Sequence, residues 1–261
     1  MISPFLTIYT LSIYKSFSEE KFKYIKLNSF NIMKLKQKEP KSYGPFFSMI
    51  YEIGSRYSTH RQYLKKFLSQ AELQIDKDTN ILDAGCGSGR LAVSLLSKLR
   101  KEGNIETKVH GVDVSKFMLK IAEKNALKKK VRENLTLYCA DGQNLSYAHE
   151  FKNKDTNGNI IAFADDSYDI VMSSGLLECV PDPYMAIKEM QRVLKPGGIM
   201  VLSVVNKNKL GKLASKMLGF NLVSTEYLMQ HFDKIRFTKF KVDTKNFYMK
   251  HLKSIYVGTK V

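Results

Sequence analysis

From residue 80 onward, short apolar runs alternate with amphipathic stretches. NILDAG (80–85) is an apolar run too short for a helix, and its glycine end marks it as a buried strand. RLAVSLLSKLRKEG (90–103) repeats leucine and alanine at helical spacing and stops at Gly103. KVHGVDV (108–114) predicts a second strand, SKFMLKIAEKNALKKK (115–130) a helix capped by Ser115, and LTLYCADG (135–142) a third strand. After a polar connection over 145–166, with a DTNGN turn inside it, SYDIVMSSG (167–175) reads as a fourth strand. DPYMAIKEMQRVL (182–194) is a helix with Asp182 as cap and Pro183 in its first turn. KPGG then turns the chain into a fifth strand, IMVLSVV (199–205).

This alternation predicts a doubly wound, mostly parallel sheet with helices on both faces. TKFKVD (238–243) and LKSIYVG (252–258) add two antiparallel strands, for seven in all. Ahead of the sheet, PFFSMIYEIGSRY and THRQYLKKFLSQAEL (45–73) place apolar residues three and four apart, as helices do. Residues 1–40 show no periodicity. They are expected to be a basic, mobile extension, of which 1–32 precede a natural start at Met33. The main domain is expected over 41–261, with its core at 78–205.

Charge divides the chain in the same places. Basic residues outnumber acidic ones 12 to 4 over 1–70, match them 18 to 18 over 71–205, and outnumber them 12 to 3 over 206–261. Such flanks are either a solvated lysine-rich surface or a rim for an anionic substrate, a phospholipid surface or RNA. KLGKLASKMLGF (209–220) is a short basic amphipathic helix, suited to packing on the domain or lying on a membrane. No apolar run reaches 18 residues, so no membrane span is expected. Cys86, Cys139 and Cys179 form no CxxC pair, which points to a reducing, cytoplasmic setting. The five histidines make no HxxxH or HExxH, so no metal site is expected.

The chemistry is concentrated in ILDAGCGSGR (81–90). Glycine at every second position between strand and helix suits a nucleotide-like ligand. A dinucleotide loop wants GxGxxG, and Arg90 stands where its last glycine would be. A phosphate-gripping loop would need Gly-Lys-Ser/Thr, which is absent. Asp113 and Asp141 close the second and third strands. In an open α/β sheet, ligands sit beyond such carboxyl ends.

In order along the chain, ILDAGCGSGR, GVDVSKFML, CADGQNL, DDSYDIVMSSGLLECVPDP and EMQRVLKPGGIMVLS resemble the motifs of class I S-adenosylmethionine-dependent methyltransferases. The resemblance covers about Asp78 to Val205. It is strongest to the small-molecule and lipid type that includes the quinone-biosynthesis enzymes. It implies S-adenosylmethionine as cofactor. Gly85, Cys86, Gly87 and Gly89 would approach its methionine part, with Asp83 holding the loop or meeting the ammonium. Asp113, beside Val114, would hold the ribose diol, and Met118 would pack on adenine or in the core. Asp141 would accept from the adenine amino group, and the amide of Gly142 or Gln143 would meet a ring nitrogen. Ser174 would close the fourth strand against the cofactor.

The acceptor side departs from the family. Ubiquinone-pathway O-methyltransferases have Leu-Glu-His-Val where this chain has Leu177, Glu178, Cys179 and Val180. The histidine is lost. Glu178 is the candidate catalytic residue, as base or as an orienting group, against the alternative of a solvated loop carboxylate. Cys179 would line the pocket as a small apolar residue. A closing aromatic or basic residue is expected among Tyr51, Arg56, Tyr57 and Arg61. The acceptor implied is small or lipid-like, with an anionic membrane surface as a peripheral partner. RNA methylation is the alternative, although Asn-Pro-Pro-Tyr and Asp-Pro-Pro-Tyr are both absent; a non-catalytic cofactor-binding module is the third reading.

Overall fold

A computed structural model describes residues 73–151, 160–218, 220–241 and 253–261. The expected extension, the helices over 45–72, the four candidate closing residues, the DTNGN turn and the end of TKFKVD lie outside the described residues. Among the described residues nine strands form one sheet: β1 (Ile81–Ala84), β2 (Val109–Asp113), β3 (Leu135–Asp141), β4 (Asn144–Glu150), β5 (Ile160–Ile161), β6 (Tyr168–Ser174), β7 (Leu194–Val205), β8 (Ile235–Lys241) and β9 (Lys253–Lys260). Their order is β5-β4-β3-β2-β1-β6-β7-β9-β8. The five central strands are parallel; both edges are antiparallel.

Among the described residues five α-helices accompany them: α1 (Arg90–Lys101), α2 (Lys116–Lys128), α3 (Pro183–Val193), α4 (Lys209–Leu218) and α5 (Thr225–His231). Side chains alternate along each strand, so neighbouring residues feed opposite cores. Ile81, Ile170, Met172 and Val201 pack with α1 and α2 on one face. Leu82, Ala84, Val171 and Met200 pack with α3 on the other. On α1, Leu91, Leu95 and Leu99 recur every fourth residue and are all buried. Each such leucine stabilises the fold by roughly 1.5–3 kcal/mol.

Two expectations change. The sheet has nine strands because the polar stretch after residue 144 is not a plain connection: β4 turns back on β3 through Gly142-Gln143 and pairs Asp141 with Asn144. Only Leu145 and Ala148 of β4 are buried, so its alternation is too weak to read as a strand. KPGG is not a separate turn either. It is a bulge inside β7: Tyr168 pairs with Leu194 and Ile170 with Ile199, and Gly197 takes the left-handed φ of 75°.

Candidate active site

Strand order reverses at β1, flanked by β2 on one side and β6 on the other. The crevice beyond their carboxyl ends is the switch point where ligands of such sheets bind. The glycine loop fills it. Gly85 and Gly89 both have φ of 70°, a region that costs any other residue strain. Gly89 is also the N-cap of α1, and a Cβ there would come within 2.9 Å of Ala122 Cβ on α2. The loop is tied down by Cys86 N, which donates to Val112 O at 2.8 Å, and by Gly89 N, which donates to Cys86 O at 2.9 Å. Cys86 is buried with its thiol pushed up by burial, against Gly111 of β2.

Asp113 meets this loop directly. Its Oδ2 accepts from Gly87 N and its Oδ1 from Ser115 N, both at 2.8 Å. Each carboxylate oxygen keeps further accepting capacity. Burial raises this carboxyl, and the two amides pull it back down. Met118 is buried, its Cε 3.3 Å from where a Cβ on Gly87 would stand. Val114 is exposed.

Asp83 lies beneath the loop, 1% exposed. Its Oδ2 accepts from Ala92 N at 3.1 Å, so it does for α1 the capping that Gly89, without a side chain, cannot. Burial pushes its carboxyl up to about 7; the Ala92 amide opposes this and the Asp113 charge adds to it. The sign for stability follows. Between the ordinary carboxylate value of 3.8 and about 7, the native state holds a proton that the unfolded chain has released. Stability contributed at this site therefore falls as pH rises across that window. Urea unfolding of Asp83→Asn at pH 5 and pH 8 is expected to show a smaller loss with pH than the parent; an equal loss would contradict the assignment.

The adenine end is expected at Asp141, which is exposed at the close of β3. Its Oδ1 accepts from Gln143 N at 2.9 Å, and both its oxygens accept from Gln143 Nε2 at 3.1 Å. The Gln143 amide is therefore committed within the turn, which leaves Gly142 as the other of the two candidate amides. Gln143 Oε1 in turn accepts from Asp182 N at 2.9 Å, joining this turn to the cap of α3. On β6, Ser173 Oγ donates to Ala84 O at 2.7 Å and locks β6 to β1. The hydroxyl of Ser174, one residue further, is buried with no hydrogen-bond partner among the described residues.

Glu178 is placed differently from a solvated carboxylate. It is 3% exposed; Oε1 accepts from Val205 N at 2.7 Å, and its backbone O accepts from Asn221 N at 2.8 Å. Burial raises its carboxyl, while the positive charge of Lys253 and the Val205 amide oppose the rise. It thus links the loop after β6 to the end of β7, the segment before α5 and the start of β9. Cys179 is exposed.

Two residues of this crevice lie inside the quoted motifs, yet the sequence assigns them no role: Ser173 and Leu176. A Cβ on Gly85 would lie 2.8 Å from Leu176 Cβ. No period or spacing marks such a contact, because it exists only once separate loops meet.

Residues 75–234 match the family described as methyltransferase domain. The chain belongs to this methyltransferase-domain family. It is 32% identical to the ubiquinone biosynthesis O-methyltransferase of Coxiella burnetii over 62% of its own length and 56% of that protein. To the demethylmenaquinone methyltransferase of Listeria welshimeri it is also 32% identical, over 48% of this chain and 44% of that protein. The chain thus spans about half the length of these curated relatives. Among solved structures, geranyl diphosphate C-methyltransferase from Streptomyces coelicolor has a TM-score of 0.55 over 86% of this chain and 84% of that one, at 14% identity, a likeness of fold.

S-adenosylmethionine, the cofactor of methyltransferases of this family, fits the residues present. Its sulfonium and ammonium bring positive charge to a loop already flanked by two carboxylates, Asp83 and Asp113, whose charged forms burial disfavours. A dinucleotide pyrophosphate would bring negative charge to the same place. The unpartnered Ser174 hydroxyl offers one more polar contact at the strand end.

Proposed function

We propose that this chain transfers a methyl group from S-adenosylmethionine to a small, lipid-like acceptor of the quinone type. The observation that carries the reading is the glycine loop at the switch point with Asp113 bonded to Gly87 N at its rim. The acceptor class rests on the relatives, which are named for ubiquinone and demethylmenaquinone methylation.

When bound, the cofactor supplies an electrophilic methyl group that an acceptor atom takes by in-line attack, with the carbon–sulfur electron pair leaving to sulfur. The protein's part is placement, which in such reactions supplies roughly 7–11 kcal/mol of the barrier. Asp113 fixes the ribose and Asp141 the adenine. The loop amides, held by Val112 O and Asp113, set the depth of the methionine part. Glu178, with one oxygen committed to Val205 N, acts as a positioning residue that holds the acceptor-side segments together.

A membrane surface suits such an acceptor. Between residues 207 and 218 there are four lysines and no acidic residue, and Lys207, Lys209, Lys212 and Lys216 are exposed together with Leu213. Among the described residues no helix is long and apolar enough to cross a membrane. A peripheral helix on anionic headgroups is the mode this charge supports.

The test is transfer of label from methyl-labelled S-adenosylmethionine into a cell extract separated into lipid, RNA, protein and small-molecule fractions. Label is expected in the lipid fraction. Label in RNA would replace the acceptor by RNA. No label in any fraction would favour a binding module without catalysis.

A further inference from the structure

Leu176 occupies the space that two glycines leave open. A Cβ on Gly85 would stand 2.8 Å from Leu176 Cβ and 3.0 Å from its Cδ1; a Cβ on Gly142 would stand 2.9 Å from its Cδ2 and 3.0 Å from its Cδ1. Such separations are shorter than van der Waals contact allows. Gly85 follows β1 and Gly142 follows β3, with β2 between those strands. One side chain from the loop after β6 therefore reaches both the methionine end and the adenine end of the crevice, across the strand that carries Asp113.

The two glycines differ in why they are glycine. Gly85 has a positive φ, so its backbone alone demands it. Gly142 has no positive φ. A Cβ at Gly142 would meet the far end of the Leu176 side chain, which would have to shift to admit it. Leu176 is also half-buried, packed against the core cluster and not sealed within it.

We infer that Leu176 and Gly142 are a size-matched pair that sets the width of the purine pocket, so that Leu176 determines which substituents on the purine's amino edge the site admits. This rests on the reading of Asp141 as the partner of the adenine amino group, one residue from Gly142. The natural ligand class is an unsubstituted adenosyl group. Truncating Leu176 removes branched bulk next to that edge and opens a hole for a larger one; adding a methyl at Gly142 against the intact leucine narrows the pocket.

The test is calorimetry with S-adenosylhomocysteine and its N6-benzyl derivative on the full chain, as parent, Leu176→Ala, Leu176→Val, Gly142→Ala and the Gly142→Ala/Leu176→Ala double variant. The parent is expected to bind the unsubstituted compound and to disfavour the benzyl derivative by about tenfold or more. Leu176→Ala is expected to shrink that ratio by about tenfold, with Leu176→Val intermediate. Gly142→Ala should weaken the unsubstituted compound, and the double variant should recover it, a non-additivity that general loss of stability would not produce. An unchanged ratio in both leucine variants, or additive effects in the double variant, would overturn the size-matched pair. If the parent binds neither compound, the cofactor reading itself has failed, and the inference with it.

Discussion

Asp113→Ala is expected to weaken S-adenosylmethionine binding by at least about 100-fold. A hydrogen bond to a charged group contributes roughly 1.5–3 kcal/mol, and a ribose diol makes two. The substitution also removes the acceptor of Gly87 N and Ser115 N, so the donor loop loses the bond that ties it to the end of β2. Both effects act on the same ligand, which makes this the largest binding loss expected of any single carboxylate in the site. Asp113→Asn keeps one accepting oxygen and should fall between the two. Affinity measured by competition with labelled S-adenosylhomocysteine decides it; an alanine variant that binds like the parent would remove Asp113 from the site.

The largest loss of stability is expected at Glu178. Alanine there strips Val205 N of its acceptor and leaves Lys253, whose ammonium burial already disfavours, without the neighbouring carboxylate. Leaving a buried amide without its acceptor costs about 1–3 kcal/mol. For a domain of this size that corresponds to a fall of roughly 5 °C in Tm. Glu178→Gln separates positioning from proton transfer. The amide oxygen can still accept from Val205 N, so most of the stability and turnover should survive, with no change in the pH profile of kcat. A folded Gln variant with turnover abolished would instead make Glu178 a catalytic base.

The parallel core was legible because each strand is an apolar run that ends in a residue with a visible purpose. Asp113 and Asp141 stand at strand ends, and Ser115 and Asp182 stand where the following helices need caps. The glycine loop was legible for a local reason: left-handed backbone wants glycine, and local requirements are written in local sequence. What stayed hidden depends on chain segments far apart. β4 lies one strand in from the sheet edge, between β3 and the two-residue β5, and has two buried residues, so its period is drowned by polar neighbours. Glu178 sits in a polar loop and reads as solvated until Val205 and Asn221 close over it. Leu176 looks like one leucine among many, and its importance comes from two glycines on other strands.

Titration of S-adenosylmethionine into the full chain at pH 7, with NAD as the comparison, tests the central claim most directly. The buried carboxylates beside the glycine loop predict saturable one-to-one binding of the sulfonium cofactor and none of the anionic dinucleotide. Binding of NAD, or no binding of S-adenosylmethionine by the folded chain, would contradict it.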